Sequence, residues 1–115
     1  MKDQEICRLY REAKYPNEQV QIFADLESTN KYEIIRILIA NNEELKQPTV
    51  RHLHKRLDSL DRLISKKEQR RRDLVKADGH EAPARLNREI ANAEREYQTV
   101  TELLSKIEKK KKEGR

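Results

Sequence analysis

Residues 48–111 read PTVRHLHKRLDSLDRLISKKEQRRRDLVKADGHEAPARLNREIANAEREYQTVTELLSKIEKKK, and their apolar side chains recur every three, then four positions. Val50, Leu53, Leu57, Leu60, Ile64 and Leu74 fall on one such series, with Lys67 and Arg71 in its two remaining seam positions. Leu86, Ile90, Ala93, Tyr97, Val100, Leu104 and Ile107, followed by Lys111, make a second. This alternation sets residues on one stripe of an α-helix, the pattern by which two helices zip together. Between the series stands Asp78-Gly79-His80-Glu81-Ala82-Pro83, where Gly79 suits a C-terminal helix cap and Pro83 the first turn of the next helix. Folding back there pairs Leu74 with Leu86, Arg71 with Ile90, Lys67 with Ala93, Ile64 with Tyr97, Leu60 with Val100, Leu57 with Leu104, Leu53 with Ile107 and Val50 with Lys111. The numbers of every pair add to 160 or 161. Two series of equal length that match in this way predict an antiparallel helical hairpin. At 1.5 Å rise per residue, its arms should be on the order of 40 Å long.

Composition points the same way. Of 115 residues, 41% are charged and 35% hydrophobic, with one Phe, no Trp and two Gly. Such a chain can fill narrow seams between helices but not a wide core, and it has too few turn formers for a many-stranded sheet. The fold class expected is all-α, with the hairpin of residues 46–115 preceded by a small unit over 1–45, and the length excludes a large enzyme.

The first 45 residues read as three short helices. Ile6, Leu9, Tyr10 and Ala13 share one face of the first. Tyr15-Pro16-Asn17 stops it, and Pro16 opens a second helix carrying Val20, Phe23, Ala24 and Leu26. Glu27-Ser28-Thr29-Asn30 interrupts the pattern, and Asn30 with Glu33 forms a capping box before Ile34, Ile35, Ile37, Leu38 and Ile39. Asn41-Asn42 closes the third helix.

Charge is divided unevenly. Residues 1–45 hold six cations against nine carboxylates, while residues 46–115 hold 20 cations against 12. Phosphate contacts are therefore to be sought first in the second part. There Lys66, Lys67, Arg70, Arg71, Arg72, Lys76, Arg85 and Arg88 surround the turn end of the hairpin, forming a basic tip fit to touch a nucleic-acid backbone or an acidic protein groove. The ordinary alternative is a solvated helix face whose long cationic stems lie over Ile90 and Ala93. Lys109–Lys112 add a basic tail, expected to fray.

Two helices, a short polar turn and a third helix opening in Ser28-Thr29-Asn30-Lys31-Tyr32 have the layout in which a recognition helix presents its first turn to base edges. The stretch YREAKYPNEQVQIFADLESTNKYEIIRIL, residues 10–38, resembles the N-terminal segments of small helix-turn-helix proteins carried by phages and mobile elements of Firmicutes. The resemblance implies DNA binding through the third helix, with Ser28, Thr29, Asn30, Lys31, Tyr32 and Arg36 as readers and Lys14 and Gln19 as phosphate contacts. The net negative charge of residues 1–45 weighs for the other option, a trihelix that packs or binds protein.

Several chemistries find no support. His52 and His54, two apart on a helix, point to nearly opposite sides, and His80 stands in the turn, so no metal is expected. Cys7 has no neighbouring His and suits the core of the first helix. Asp58 and Asp61 share a face but read as solvating groups. No glycine loop for phosphates, metal-binding HExxH or nucleophile elbow occurs, so neither catalysis nor a cofactor is expected. No apolar run is long enough for a membrane span, the first residues lack the apolar stretch of a signal peptide, and one cysteine fits a reducing compartment, making the cytoplasm the expected location.

The expectation is a non-enzymatic phage or mobile-element protein binding nucleic acid or a nucleoprotein complex. Its alternative is a protein-binding inhibitor of a host defence nuclease, anti-CRISPR-like, or an adaptor that uses the coiled-coil rod. A homodimer with arms paired between chains is a third option.

Overall fold

A computed structural model describes residues 1–78 and 83–113. Gly79, His80, Glu81 and Ala82, on which the expected cap and turn fall, and Gly114 and Arg115 lie outside the described residues. The elements are α1 (Asp3–Glu12), α2 (Pro16–Leu26), α3 (Lys31–Ala40), α4 (Gln47–Asp78) and α5 (Ala84–Glu113), with no strand among the described residues. The chain is all-helical, and α4 and α5 pack together as the expected helical hairpin.

Local signals end each short helix. Ala13 is already extended at ψ 135°, and Tyr15 follows the constraint of the proline after it, so Pro16 begins α2. Both α2 and α3 close in the same way. Past α2, the Thr29 amide donates to the Ala24 carbonyl at 2.9 Å and the Ser28 amide to Asp25, with Ser28 left-handed at φ 52°. Past α3, the Glu43 amide reaches Leu38 at 2.9 Å and the Asn42 amide Ile39 at 3.0 Å, with Asn42 at φ 60°. These are Schellman closures, each lacking the usual glycine. Asn30 caps α3 by accepting from the Glu33 amide at 3.1 Å, whereas the Glu33 carboxylate turns to Arg36.

Two compact units result, and each is best described alone. The first comprises Met1–His54 and the last turns of α5 from Glu102 on. Its core holds Ile6, Cys7, Tyr10, Val20, Phe23, Ala24, Ile34, Ile35, Leu38, Ile39 and Leu53, with Leu103 and Leu104 from α5. Burial of each large side chain contributes about 1.5–3 kcal/mol before conformational entropy is counted. The unit extends past the boundary expected at 45 because polar ties cross it. The Tyr10 hydroxyl accepts from the Lys46 amide at 2.9 Å and meets Thr49 Oγ1 at 2.8 Å. Arg11 clasps Glu43 through two bonds of 2.7 and 3.0 Å, which holds the guanidinium charge more firmly and raises its pKa.

Two sequence expectations fail here. Leu26, read with Val20, Phe23 and Ala24 as an apolar residue of α2, is exposed; at about 100° per residue it stands about 60° from Phe23 and about 120–160° from Val20 and Ala24. The basic tail is helical, since α5 runs through Glu113. Lys110, rather than the seam candidate Lys111, is drawn in, its ammonium donating to the Ile39 carbonyl and, at 2.8 Å, to Asn42 Oδ1. It thereby satisfies a carbonyl at the C-terminus of α3, where a cation is also favoured by the helix dipole.

The second unit, Lys55–Thr101, is hairpin alone. Leu60, Leu86, Ile90, Ala93 and Val100 are buried, and Leu57, Ile64, Leu74 and Tyr97 half-buried, as the paired heptads require. Beside the seam Arg56 grips Glu96 through bonds of 2.7 and 2.9 Å. Towards the turn end polar contacts replace apolar layers: Lys67 pairs with Glu89, and Arg71 reaches Asn87 Oδ1 at 3.5 Å, the outer limit of a hydrogen bond.

Candidate nucleic-acid interface

The eight cations expected at the tip divide into two kinds. Lys67 and Arg71, in seam positions of α4, are half-buried and spend their donors on Glu89 and Asn87. Lys66, Arg70, Arg72, Lys76, Arg85 and Arg88 are exposed. Helical spacing sorts those of α4 into two ridges, Lys66 with Arg70 and Arg72 with Lys76, on either side of the Lys67 and Arg71 positions. The hairpin brings α5 beside the first ridge, so Arg70 and Arg85 line one groove together with Leu74, Pro83, Leu86 and Glu89. Sequence spacing alone did not join Arg70 to Arg85, which are neighbours only across the two helices.

Few of these charges are neutralised. Arg85 pairs with Glu89 at 3.1 Å, and Arg72 donates to the uncharged Gln69 at 2.7 Å instead of to Glu68 four residues before it. Lys66, Arg70, Lys76 and Arg88 have no hydrogen bond or ion pair among the described residues. Glu89, held by Lys67 and then by Arg85, has its carboxyl pKa lowered and stays ionised at neutral pH. The remaining surplus is positive, and such a surface attracts phosphate.

The six candidate readers near α3 are arranged differently. Ser28 and Thr29 are exposed, but Asn30 spends its side chain on capping. Lys31 Nζ lies 2.9 Å from His52 Nε2 and 5.4 Å from the centroid of the Tyr32 ring. Arg36 pairs with Glu33. From Lys31 to Ile39 no residue of α3 is fully exposed, whereas a helix laid in a major groove needs an open face. Of the two expected phosphate contacts, Lys14 is exposed with its ammonium 5.5 Å from the Tyr15 ring, and Gln19 is half-buried.

Other chemistry has little to work with among the described residues. No group of three or more His, Cys, Asp or Glu side chains is placed to hold a metal ion. Cys7 is buried, and that burial, with Glu43 nearby, raises its thiol pKa, leaving it protonated at neutral pH. No described helix is long and apolar enough to cross a membrane.

The feature that sequence reasoning missed lies on α2. Tyr15, Ile22 and Leu26 are exposed together, and their spacing of seven and four residues was the signal that could have found them. In comparisons with models of protein families, with curated proteins and with solved structures, the chain matches none.

Proposed function

We propose that this protein is a non-enzymatic nucleic-acid-binding protein that contacts the sugar–phosphate backbone of a duplex through Lys66, Arg70, Arg72, Lys76, Arg85 and Arg88. The observation that carries this reading is the exposed, largely unpaired state of these six cations on a hairpin whose two helices are held by the seam behind them. Residues 66–88 contain no Phe, Tyr or Trp, the large rings on which unpaired bases stack. None of those six is an Asn or Gln, so bidentate reading of adenine is absent. The reading rests on contacts with the backbone, which position a duplex without specifying its sequence.

The test is the salt dependence of duplex affinity. Six phosphate contacts give a slope of log K against log salt of about −5, because each releases roughly 0.9 counterion. Changing Arg70, Arg72, Lys76 and Arg88 to Ala should flatten the slope by about three to four and leave helicity unchanged. A slope unaffected by these changes would remove the proposal.

The helix-turn-helix reading implied by the resemblance is a second one, supported by the exposure of Ser28 and Thr29 in the turn before α3. It rests on Lys14, Lys31 and Arg36 as its cations, so its slope should be only about −3 and should fall to about −1 in Lys31→Ala, Arg36→Ala. It further requires that one duplex sequence be preferred over others. A phage or mobile-element origin is proposed with either reading, and inhibition of a host defence nuclease is the alternative to both, in which the rod occupies a channel meant for nucleic acid.

A further inference from the structure

We infer that the outer face of α2 is a docking surface for a basic amphipathic helix of another protein. Tyr15, Ile22 and Leu26 are 60%, 49% and 64% exposed. At about 100° per residue Ile22 and Leu26 fall on one stripe roughly 40° wide, facing away from Val20 and Ala24, which bury the other side of the helix, and Tyr15 at the N-cap extends it. Eleven residues separate the ends, so the stripe runs about 16 Å, close to three helical turns. Single exposed apolar residues are ordinary; three large ones aligned on one helix are the anchor pattern of helix recognition.

Charge identifies the occupant. Glu18 and Asp25 are exposed and, by their spacing, stand along one flank of the stripe, whereas Glu27 beyond the helix is paired with the Met1 ammonium at 3.0 Å. From Pro16 to Glu27 there is no lysine or arginine. An apolar centre with an acidic flank complements an apolar helix face bordered by Lys or Arg. It disfavours pairing of α2 with α2 of a second copy, because each copy would bring Glu18 and Asp25 to the contact and α2 itself holds no lysine or arginine. The surface belongs to the first unit and the cations of residues 66–88 to the second, so this inference does not depend on the nucleic-acid reading.

The experiment uses the full chain and a labelled synthetic helical peptide made only of Leu and Lys, with Leu on one face, followed by fluorescence anisotropy near physiological salt. Binding is expected to weaken by at least about tenfold in Ile22→Gln, Leu26→Gln, and several-fold in Glu18→Gln, Asp25→Gln. A peptide of the same pattern with Glu in place of Lys should bind at least about tenfold less. Because these side chains are exposed, circular dichroism should report unchanged helicity in both variants. Arg70→Ala, Arg72→Ala should bind the peptide as the parent does, which separates this inference from the nucleic-acid reading. Equal binding by Ile22→Gln, Leu26→Gln, equal affinity for the Glu peptide, or a concentration-dependent dimer abolished by Ile22→Gln, Leu26→Gln would each overturn it.

Discussion

The Tyr10 hydroxyl and Thr49 Oγ1 lie 2.8 Å apart, both side chains wholly buried, and tie α1 to the first turn of α4. The same phenolic oxygen accepts the Lys46 amide at 2.9 Å. One oxygen thus serves two groups 36 and 39 residues away in sequence. Tyr10→Phe should cost about 1–3 kcal/mol, the desolvation of partners left without a bond, and more than the net worth of one hydrogen bond. Thr49→Val alone should cost less, since the tyrosine keeps the Lys46 amide. Urea titrations of the single and double variants should give a combined loss smaller than the sum, as for any two groups sharing an interaction. Strict additivity would show that the hydroxyls do not interact.

Stability should fall in alkali. Burial raises the Tyr10 pKa above its ordinary 10.0, outweighing its bonds to Thr49 and Lys46, and raises that of Cys7 above 9.0. Both groups ionise more easily in the unfolded chain. Their contribution is therefore complete below those ordinary values and is lost as pH rises through the folded ones. Denaturation midpoints should be flat from pH 7 to about 8.5 and then decline. In Cys7→Ala the decline should begin higher. The Cys7 thiol should also react with a disulfide reagent far more slowly than in urea.

Ser28 closes α2 at φ 52° without being glycine. The left-handed conformation costs an ordinary residue about 1–2 kcal/mol, while a glycine adds about 0.4–1 kcal/mol of unfolded-state entropy. Relief exceeds loss, so Ser28→Gly should stabilise by about 0.5–1 kcal/mol. Ser28→Val should destabilise by more than that, because a β-branched residue fits the conformation worst. A thermal melt of the three proteins checks the order. Asn42, at φ 60°, should respond less to glycine, since asparagine tolerates this region.

Arg71 stands where the heptad asks for an apolar residue and makes only a 3.5 Å contact with Asn87. Arg71→Leu should extend the apolar seam towards the turn and raise the urea midpoint. Lys67→Leu should gain less, because it strips Glu89 of its main partner. Glu89 has a lowered pKa in the folded chain, so the support it gives is present above the ordinary carboxylate value of 4.5 and fades as pH falls. That acid-side loss should be reduced in Lys67→Leu and retained in Arg71→Leu, as pH-dependent melts would record.

How much of this was legible beforehand depends on the range of the interaction. Pro16, the Asn30 cap and the Asn41-Asn42 closure act within a few residues, and each ends or begins a helix where local chemistry places it. The paired heptads were legible because seven-residue spacing repeats along the chain, and the Lys67–Glu89 and Arg71–Asn87 contacts agree with their direction. The exposed cations of residues 66–88 were also named from sequence, but which of them are free was not. That depended on whether Glu89 and Asn87 arrived opposite Lys67 and Arg71.

The amino-acid order by itself determined the helices, their breaks and the antiparallel pairing, since backbone sterics, caps and apolar periodicity are local or repetitive. Only the tertiary structure decided that Leu26 is left uncovered and Leu103 covered, that Lys110 rather than Lys111 reaches α3, and that Tyr10 meets Thr49. A side chain's side of a helix follows from its own spacing. Whether that side is covered depends on another segment, and no periodicity within the first segment records where the second will lie.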